Sequence, residues 1–113
     1  MKVEQLIPEV SHKVHFSLKD KKLVPSSAGC YVLTTFDGIV LYVGLTKNLK
    51  VRFTQHRDAN EKCLPTSHGF AFWFHYLESS ENEIYRIERT WQNQHVSEHG
   101  TLPILNKIDS PVR

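Results

Sequence analysis

The stretch "CYVLTTFDGIVLYVG", residues 30–44, predicts a β-hairpin. Two apolar, β-prone runs flank an Asp-Gly pair at 37–38, a dipeptide typical of two-residue type I′ turns. A loop of two residues places Tyr31 directly opposite Gly44. Because side chains alternate along a strand, Tyr31 and Tyr42 then project from the same face of the hairpin. The sequence therefore predicts two phenols beside an open position that carries no side chain.

The spacing of apolar residues changes after the hairpin and predicts a helix. Thr46 or Asn48 can cap this helix, which is expected to run to about Arg57. Two apolar residues mark its buried face: Leu49 and Phe53. Arg52 and His56 lie along one edge of that face, one helical turn apart. We expect both at the border between core and solvent, close to the hairpin.

A second apolar segment, "GFAFWFHYLE" at residues 69–78, indicates a central strand that is apolar on both faces apart from His75. Its aromatic side chains could stack on nucleobases, as in proteins that bind single strands. Alternating aromatics in an internal strand are, however, more often part of the core. We therefore assign five rings to the core: Phe70, Phe72, Trp73, Phe74 and Tyr76.

The next segment predicts a long helix that ends at Gly100. Ser80 followed by Glu83 has the spacing of a capping box. The apolar stripe of the helix consists of three residues: Ile84, Ile87 and Trp91. Glu88 lies inside this stripe, where a carboxylate is unfavourable unless it meets a cation, a metal or a hydrogen-bond donor. Glu88 either pairs with a buried arginine or tyrosine for structure, or belongs to a functional site.

Length and composition indicate a globular protein with one domain. The chain has 113 residues, enough for one core, and ordinary apolar and charged fractions. We expect the domain over residues 25–113 and leave residues 1–24 as an unassigned N-terminal extension. No apolar run is long enough to cross a membrane, and no signal peptide is recognisable. Two cysteines do not make a disulfide framework, so we expect a cytoplasmic location.

The basic residues are concentrated in one segment. The formal net charge of +2 is too small to indicate nucleic-acid binding by itself. Between residues 45 and 62, however, two acids face five cations: Lys47, Lys50, Arg52, Arg57 and Lys62. Such a segment is either a solvated helix face or a surface that binds phosphates.

A zinc site is a further interpretation of the cysteine and histidine pattern. Cys63, His68, His95 and His99 could form a ligand set, since the last two lie one helical turn apart. The spacing of Cys63 and His68 is unconvincing, and only one thiol is available. We therefore place His68 in a substrate-binding loop or on the surface.

Six features of the sequence occur in a specific order: Gly29-Cys30-Tyr31, Tyr42-Val43-Gly44, Arg52, His56, Glu88 and Asn106. This set resembles the GIY-YIG endonuclease superfamily over residues 23–107, with Cys30 where isoleucine or valine is usual. The resemblance implies an α+β fold with a three-stranded antiparallel sheet flanked by helices. The implied order is strand, strand, helix, helix, strand, helix, with the second helix between Ala59 and Ser67.

The resemblance also implies roles for these residues. Tyr31 and Tyr42 are similar to paired tyrosines that orient or deprotonate the attacking water. Arg52 resembles the arginine that binds the scissile phosphate. Glu88 resembles a single carboxylate that holds one divalent metal ion, Mg²⁺ or Mn²⁺. Asn106 resembles a late asparagine that positions the site.

Two further positions differ among members of the superfamily. His56 matches a histidine that some members carry four residues after the arginine. Others carry a lysine directly after the second signature, where this chain has Leu45. A lysine role would therefore have to come from Lys47 or Lys50.

The expected function is that of a metal-dependent endonuclease that hydrolyses nucleic-acid phosphodiester bonds, with DNA favoured over RNA. The expected nucleic-acid-binding residues surround the pocket: Gly44, Lys47, Lys50, Arg57 and His68. The alternative is a catalytically inactive nucleic-acid-binding module with the same fold. In a chain this short, we expect weak specificity, a homodimer or a recruiting protein partner.

Overall fold

The computed structural model describes residues 1–59 and 61–106 and has the predicted α+β architecture. Within these ranges, one sheet contains strands β1 (His12–His15), β2 (Gly29–Thr34), β3 (Val40–Thr46) and β4 (Trp73–Glu78). The α-helices are α1 (Leu49–Ala59) and α2 (Ile84–His99). Short 3₁₀ helices span Val3–Gln5, Leu18–Leu23 and Glu61–Cys63. The last part of the expected domain, residues 107–113, lies outside the described residues.

The sheet has the strand order β1-β4-β2-β3, and all neighbouring strands are antiparallel. The prediction of three strands is wrong, because the N-terminal segment pairs along β4 as an additional strand. His12 pairs with Tyr76 and Val14 with Phe74, and the alternation buries Val14 in the core. β4 is thereby paired on both sides, which confirms it as a central strand.

The β2–β3 hairpin has the predicted register at the tyrosines but not the predicted turn. Tyr31 pairs with Gly44, as expected. The loop holds three residues rather than two, because the backbone N–H of Thr35 donates to the carbonyl of Ile39 at 3.0 Å. Gly38 supplies the left-handed conformation that closes this loop, with φ of 88°. A β-bulge further along the hairpin compensates for the additional loop residue.

The sheet separates two hydrophobic clusters. One face carries both hairpin tyrosines and packs against α1: Val14, Phe16, Tyr31, Tyr42, Leu49, Phe53, Phe74 and Tyr76. The other face packs against the predicted stripe of α2: Val3, Leu6, Cys30, Val32, Val43, Ile84, Ile87 and Trp91. The two tyrosines therefore share one face, as predicted, and the N-terminal 24 residues contribute side chains to both clusters.

The assignment of the five aromatic rings to the core is correct only in part. Phe74 and Tyr76 are buried, with 0% and 5% of their surface exposed. Phe72 and Trp73 are half-buried. Phe70 is 56% exposed, so its assignment to the core is wrong. Phe70 precedes β4 and has left the sheet, and its ring therefore has no covering layer.

The helix ends agree with the sequence at three of four places, since α1 also ends at Ala59, close to the expected Arg57. Asn48 caps α1, because its Oδ1 accepts a hydrogen bond from the backbone N–H of Val51 at 3.1 Å. Gly100 ends α2 in the left-handed conformation, with φ of 77°. The capping box at Ser80 is wrong, because residues 81–83 form a turn and α2 begins at Ile84 without a side-chain cap.

The described residues between α1 and β4 contain only one short 3₁₀ helix. The helix expected between residues 59 and 67 is a single 3₁₀ turn, Glu61–Cys63, and residue 60 lies outside the described residues. None of the described helices is long and apolar enough to cross a membrane.

A buried histidine makes the stability of the fold sensitive to pH. Burial lowers the pKa of His75 to about 4, and the charge of Lys13 acts in the same direction while Glu4 opposes it. The unfolded chain takes up this proton near pH 6.5, whereas the folded protein does so only near pH 4. Stability that is present above pH 6.5 is therefore lost as the pH falls towards 4, by up to about 3 kcal/mol.

The test is urea unfolding of wild type and His75→Gln between pH 7.5 and 4.5. Glutamine keeps a hydrogen-bonding group near the Thr34 hydroxyl, which lies 2.9 Å from Nε2 of His75. We expect the free energy of unfolding to fall less steeply with pH in the variant. Equal slopes would show that other groups control the pH dependence.

Candidate active site

The hydroxyl of Tyr31 lies 2.6 Å from Nε2 of His56, which is a hydrogen-bond distance. The hairpin supplies Tyr31 and α1 supplies His56, so this bond joins the two elements. The centroids of the Tyr31 and Tyr42 rings are 5.9 Å apart. The His56 ring lies 5.5 Å from Tyr31 and 5.4 Å from Tyr42. The structure thus brings three predicted site residues into mutual contact.

Gly44 allows the two tyrosine rings to lie close to the backbone of β3. A Cβ atom at this position would lie 2.5 Å from both Cζ and the hydroxyl oxygen of Tyr31. It would also lie 2.8 Å from Cε2 of Tyr42. The open position that the sequence predicts beside the phenols is therefore filled by the Tyr31 ring itself, which is fully buried.

A cavity of about 280 Å³ adjoins His56 and is lined by α1 and the 3₁₀ turn after it: Arg52, Gln55, His56, Ala59, Glu61 and Lys62. Nε of Arg52 donates to Oε1 of Gln55 at 3.0 Å, which orients the guanidinium along the helix. Arg52 and Lys62 supply a guanidinium and an ammonium group, and Glu61 is exposed. The cavity therefore places cations beside the tyrosine and histidine cluster.

Lys62 is the site residue that sequence reasoning missed. It is 4% exposed, although lysine normally keeps its ammonium group in water. Its Nζ atom lies 4.8 Å from the centroid of the Tyr42 ring, a cation–π contact. The sequence placed Lys62 in the basic segment but pointed to Lys47 and Lys50 for a lysine role. Residues 59–67 have no periodicity that indicates an inward-facing side chain.

Asn106 joins the C-terminal segment to the edge of β3. Its Nδ2 donates to the carbonyl of Val43, and its Oδ1 accepts from the N–H of Val43, both at 2.9 Å. The N–H of Leu105 donates to the carbonyl of Leu41, also at 2.9 Å. These bonds hold the strand that carries Tyr42, so the geometry supports a positioning role for Asn106.

Glu88 lies on α2, the helix that packs on the opposite face of the sheet from α1. It is half-buried, and its Oε2 atom is buried. Burial raises the pKa of the Cys30 thiol to about 12, and the Glu88 carboxylate adds to this effect. Sγ of Cys30 donates to the carbonyl of Ile84 at 3.1 Å. The unusual residue of the first signature is therefore an inert thiol that faces α2 and not the tyrosine cluster.

Most of the chain matches a known domain. Residues 27–100, more than half of the chain, match the family model of the GIY-YIG catalytic domain. The chain belongs to the GIY-YIG family of endonuclease domains. Both signatures, Arg52, His56 and Glu88 lie within the matched residues, whereas Asn106 follows them.

Two kinds of relatives are similar to this GIY-YIG domain. A 41-residue stretch is 42% identical to the UvrABC system protein C of two strains of Lactobacillus delbrueckii subsp. bulgaricus. It makes up 36% of this chain but only 7% of the length of those relatives. A solved structure is the GIY-YIG N-terminal endonuclease domain of UvrC from Thermotoga maritima, a point mutant bound to its catalytic divalent cation. It has 18% sequence identity and a TM-score of 0.48, with 78% of this chain and 91% of that chain covered.

The other residues predicted to bind nucleic acid have different surroundings in this GIY-YIG domain. Lys47 is exposed and Lys50 is half-buried, both at the start of α1. Arg57 packs against the core, with Cζ 5.1 Å from the Phe16 ring centroid and Nη1 donating to Sγ of Cys63 at 3.4 Å. Lys47 and Lys50 therefore lie at the surface where α1 begins, whereas Arg57 is held between α1 and the sheet.

His68 lies at a second cavity, away from the cluster of tyrosines. This cavity of about 240 Å³ is also lined by His95 and His99, whose ring centroids are 4.9 Å apart. Cys63 instead contacts Arg57 on the α1 side. In the described parts of the chain, no three His, Cys, Asp or Glu residues converge as metal ligands. The four candidate zinc ligands are thus divided between two places.

Replacing Asn106 tests its role in holding β3. Asn106→Ala removes two hydrogen bonds and leaves the N–H and carbonyl of Val43 without these partners at a buried position. We expect the free energy of unfolding to fall by about 2 kcal/mol, measured by urea denaturation. Asn93→Ala, on the exposed face of α2, is the matched control. A loss below about 0.5 kcal/mol would contradict the assignment.

Proposed function

We propose that the protein is a metal-dependent endonuclease that hydrolyses nucleic-acid phosphodiester bonds, with DNA favoured over RNA by the family resemblance. The observation that carries this proposal is the 2.6 Å contact of Tyr31 with His56, beside a cavity that Arg52 and Lys62 also line. An imidazole can move a proton, and cations can neutralise a phosphate. The match to the GIY-YIG catalytic domain supports the same reaction.

His56 is the proposed base, and Tyr31 is the residue that positions it. Tyr31 is 0% exposed, so its hydroxyl is screened from bulk water, whereas His56 is half-buried and lines the cavity. When Nε2 of His56 donates to the Tyr31 oxygen, the other ring nitrogen is the acceptor. That nitrogen can take a proton from water as the water oxygen bonds to phosphorus and the bond to the leaving sugar oxygen breaks, and the leaving oxygen takes up a proton from solvent. Tyr42 packs edge-on against the imidazole and fixes its plane.

Arg52 and Lys62 are proposed to bind the phosphate that is cleaved. The guanidinium offers paired donors that match two phosphate oxygens, and its orientation is set by Gln55. Lys62 adds a compact charge at a nearly dry position, where an electrostatic interaction is stronger than in water. A phosphate in this cavity would supply negative charge between two fixed cations.

Glu88 is the residue proposed to hold the metal ion. Its carboxylate is a hard oxygen donor with a buried oxygen atom, and a single such ligand fits Mg²⁺ or Mn²⁺, which keep most of their waters. When bound there, on the α2 side of the sheet, the ion would supply Lewis-acid chemistry. The described residues offer no set of thiols or histidines that would favour zinc instead.

The proposal includes a cytoplasmic location and a protein partner. Cys30 and Cys63 are both free thiols, which supports a reducing, cytoplasmic environment. A homodimer or a recruiting protein partner is proposed to select the target, because phosphate contacts carry no sequence information.

The decisive experiment is a cleavage assay with Arg52→Ala and Glu88→Gln. Purified protein is incubated with plasmid, single-stranded DNA and RNA, with Mg²⁺ or with chelator. We expect wild type to cleave with Mg²⁺ only, and each variant to be slower by about a hundredfold or more.

Arg89→Ala is the matched control, because Arg89 is exposed on α2 next to Glu88. It should cleave like wild type, and all variants should keep the wild-type circular dichroism. Binding without cleavage by wild type on all three substrates would instead identify an inactive binding module.

A second prediction concerns the buried lysine. Lys62→Met keeps the length of the side chain but removes its charge, so the fold should survive. If the ammonium group stabilises charge on the phosphate, single-turnover cleavage should slow by about a hundredfold. In Lys62→Ala, added ethylammonium should restore part of the rate by occupying the vacated space.

Lys19→Met, at an exposed position, is the control for loss of one positive charge. Rescue by ethylammonium but not by ethanol would show that the reaction needs a charge at this position and not only a group that fills the volume. Normal rates in both Lys62 variants would mean that the lysine serves only to pack against Tyr42.

A further inference from the structure

A cluster of aromatic side chains lies exposed at the turn end of the sheet. We call it the aromatic surface: Phe36, Phe70, Phe72 and Trp73. Phe36 is 66% exposed and Phe70 is 56% exposed. Scattered single apolar residues on a surface need no explanation, but contiguous ones mark binding sites. The proposed nuclease chemistry uses none of these residues.

The rings support one another, and the two exposed ones, Phe36 and Phe70, present accessible ring surface. Phe36 meets Phe72 edge to face with centroids 5.0 Å apart, and it stacks on Trp73 at 6.2 Å. Phe70 lies 6.5 Å from Phe72. Nε1 of Trp73 donates to the carbonyl of Phe36 at 3.1 Å, so the indole N–H is satisfied within the protein. The aromatic surface is therefore a preformed platform that offers π faces.

Two lysine ammonium groups border this platform. Nζ of Lys13 lies 4.2 Å above the Trp73 ring, and the His15 ring stacks on Phe72 at 4.4 Å. Nζ of Lys2 donates to the carbonyl of Asp37, next to Phe36. Flat aromatic faces together with lysines suit a chain of stacked bases linked by phosphates. An apolar protein or lipid partner would instead have to desolvate the two ammonium groups.

The aromatic surface lies at the turn end of the sheet. At Trp73 it is on the opposite face from the proposed active site, because side chains alternate and the adjacent Phe74 faces Tyr31. Thr34 on β2 pairs with Trp73, and Tyr31 is three residues further along the same strand, about 10 Å at the rise of a strand. Phe74, two residues after Phe72, stacks on Tyr31 with centroids 5.1 Å apart. A substrate strand that binds at both places would therefore pass around the turn end of the sheet.

We propose that the aromatic surface stacks unpaired bases of the nucleic-acid strand that the site cleaves. This inference rests on the proposed function for its ligand and narrows the substrate to single-stranded or locally unpaired nucleic acid. Bases inside a duplex already stack on each other and hide their faces, so a duplex would be a poorer ligand.

The test measures binding without cleavage, with chelator present, by tryptophan fluorescence. Of the two tryptophans, Trp91 is fully buried and Trp73 lies in the aromatic surface, so base stacking should quench the emission of Trp73. The probes are a 12-nucleotide thymidine oligonucleotide, the same backbone with abasic sites, and a duplex. We expect quenching by the first probe, with an affinity at least about tenfold higher than for the other two.

Phe36→Ala and Phe70→Ala should each weaken binding of the thymidine oligonucleotide by about tenfold. Both residues are exposed, so the variants should fold. Tyr85→Ala is the matched control, since Tyr85 is an equally exposed aromatic residue on α2, with 56% of its surface accessible. It should bind like wild type.

Equal affinity for the thymidine and abasic probes, or unchanged binding in both phenylalanine variants, would overturn the inference. Self-association that is lost in Phe36→Ala, without an effect on oligonucleotide binding, would overturn it in favour of a second copy of the chain. Failure of the proposed nuclease function has a different signature, because it would leave this binding intact while no nucleic acid is cleaved.

Discussion

The close approach of the Tyr31 ring to the backbone at Gly44 is the constraint on which the site depends. Any side chain at position 44 would meet the phenol within 2.5 Å, so the residue opposite Tyr31 has to be glycine. With the space filled by the ring, the hydroxyl reaches His56 on α1 and fixes how the helix lies over the sheet. The register of one hairpin thus sets the position of a residue on a helix.

The register at the tyrosines could be predicted because it follows from the alternation of side chains and from the position of the turn. The details of the turn could not. Asp37-Gly38 fits both a two-residue loop and a three-residue loop with Gly38 at positive φ, and the chain uses the second. The bulge then restores the pairing of Tyr31 with Gly44. Burial of both tyrosines on one face favours this compensation, because a slip of one residue would turn Tyr42 away from His56.

Contacts between distant parts of the chain are the features of the site that could not be predicted from the sequence. Arg52 and His56 were predictable as neighbours, since helical spacing alone places them on one edge of α1. Lys62 was not, because its burial depends on packing against Tyr42 from a short 3₁₀ turn that has no periodicity. The segment of β1 could be read as a possible short strand, but its place in the sheet could not be predicted, because four residues with one buried side chain do not show which edge they pair with.

The charges and the rings serve two tasks at different places, with the cavity on the α1 side of the sheet and the aromatic surface at its turn end. Arg52 and Lys62 can bind a phosphate of any sequence, and the aromatic surface can stack any base, because every base has a π face. Neither part reads the hydrogen-bonding edges of bases. If both bind one strand, discrimination arises from whether the bases are free to leave their partners. The enzyme would then recognise a structural feature of the nucleic acid, such as an unpaired segment, and not a particular base sequence.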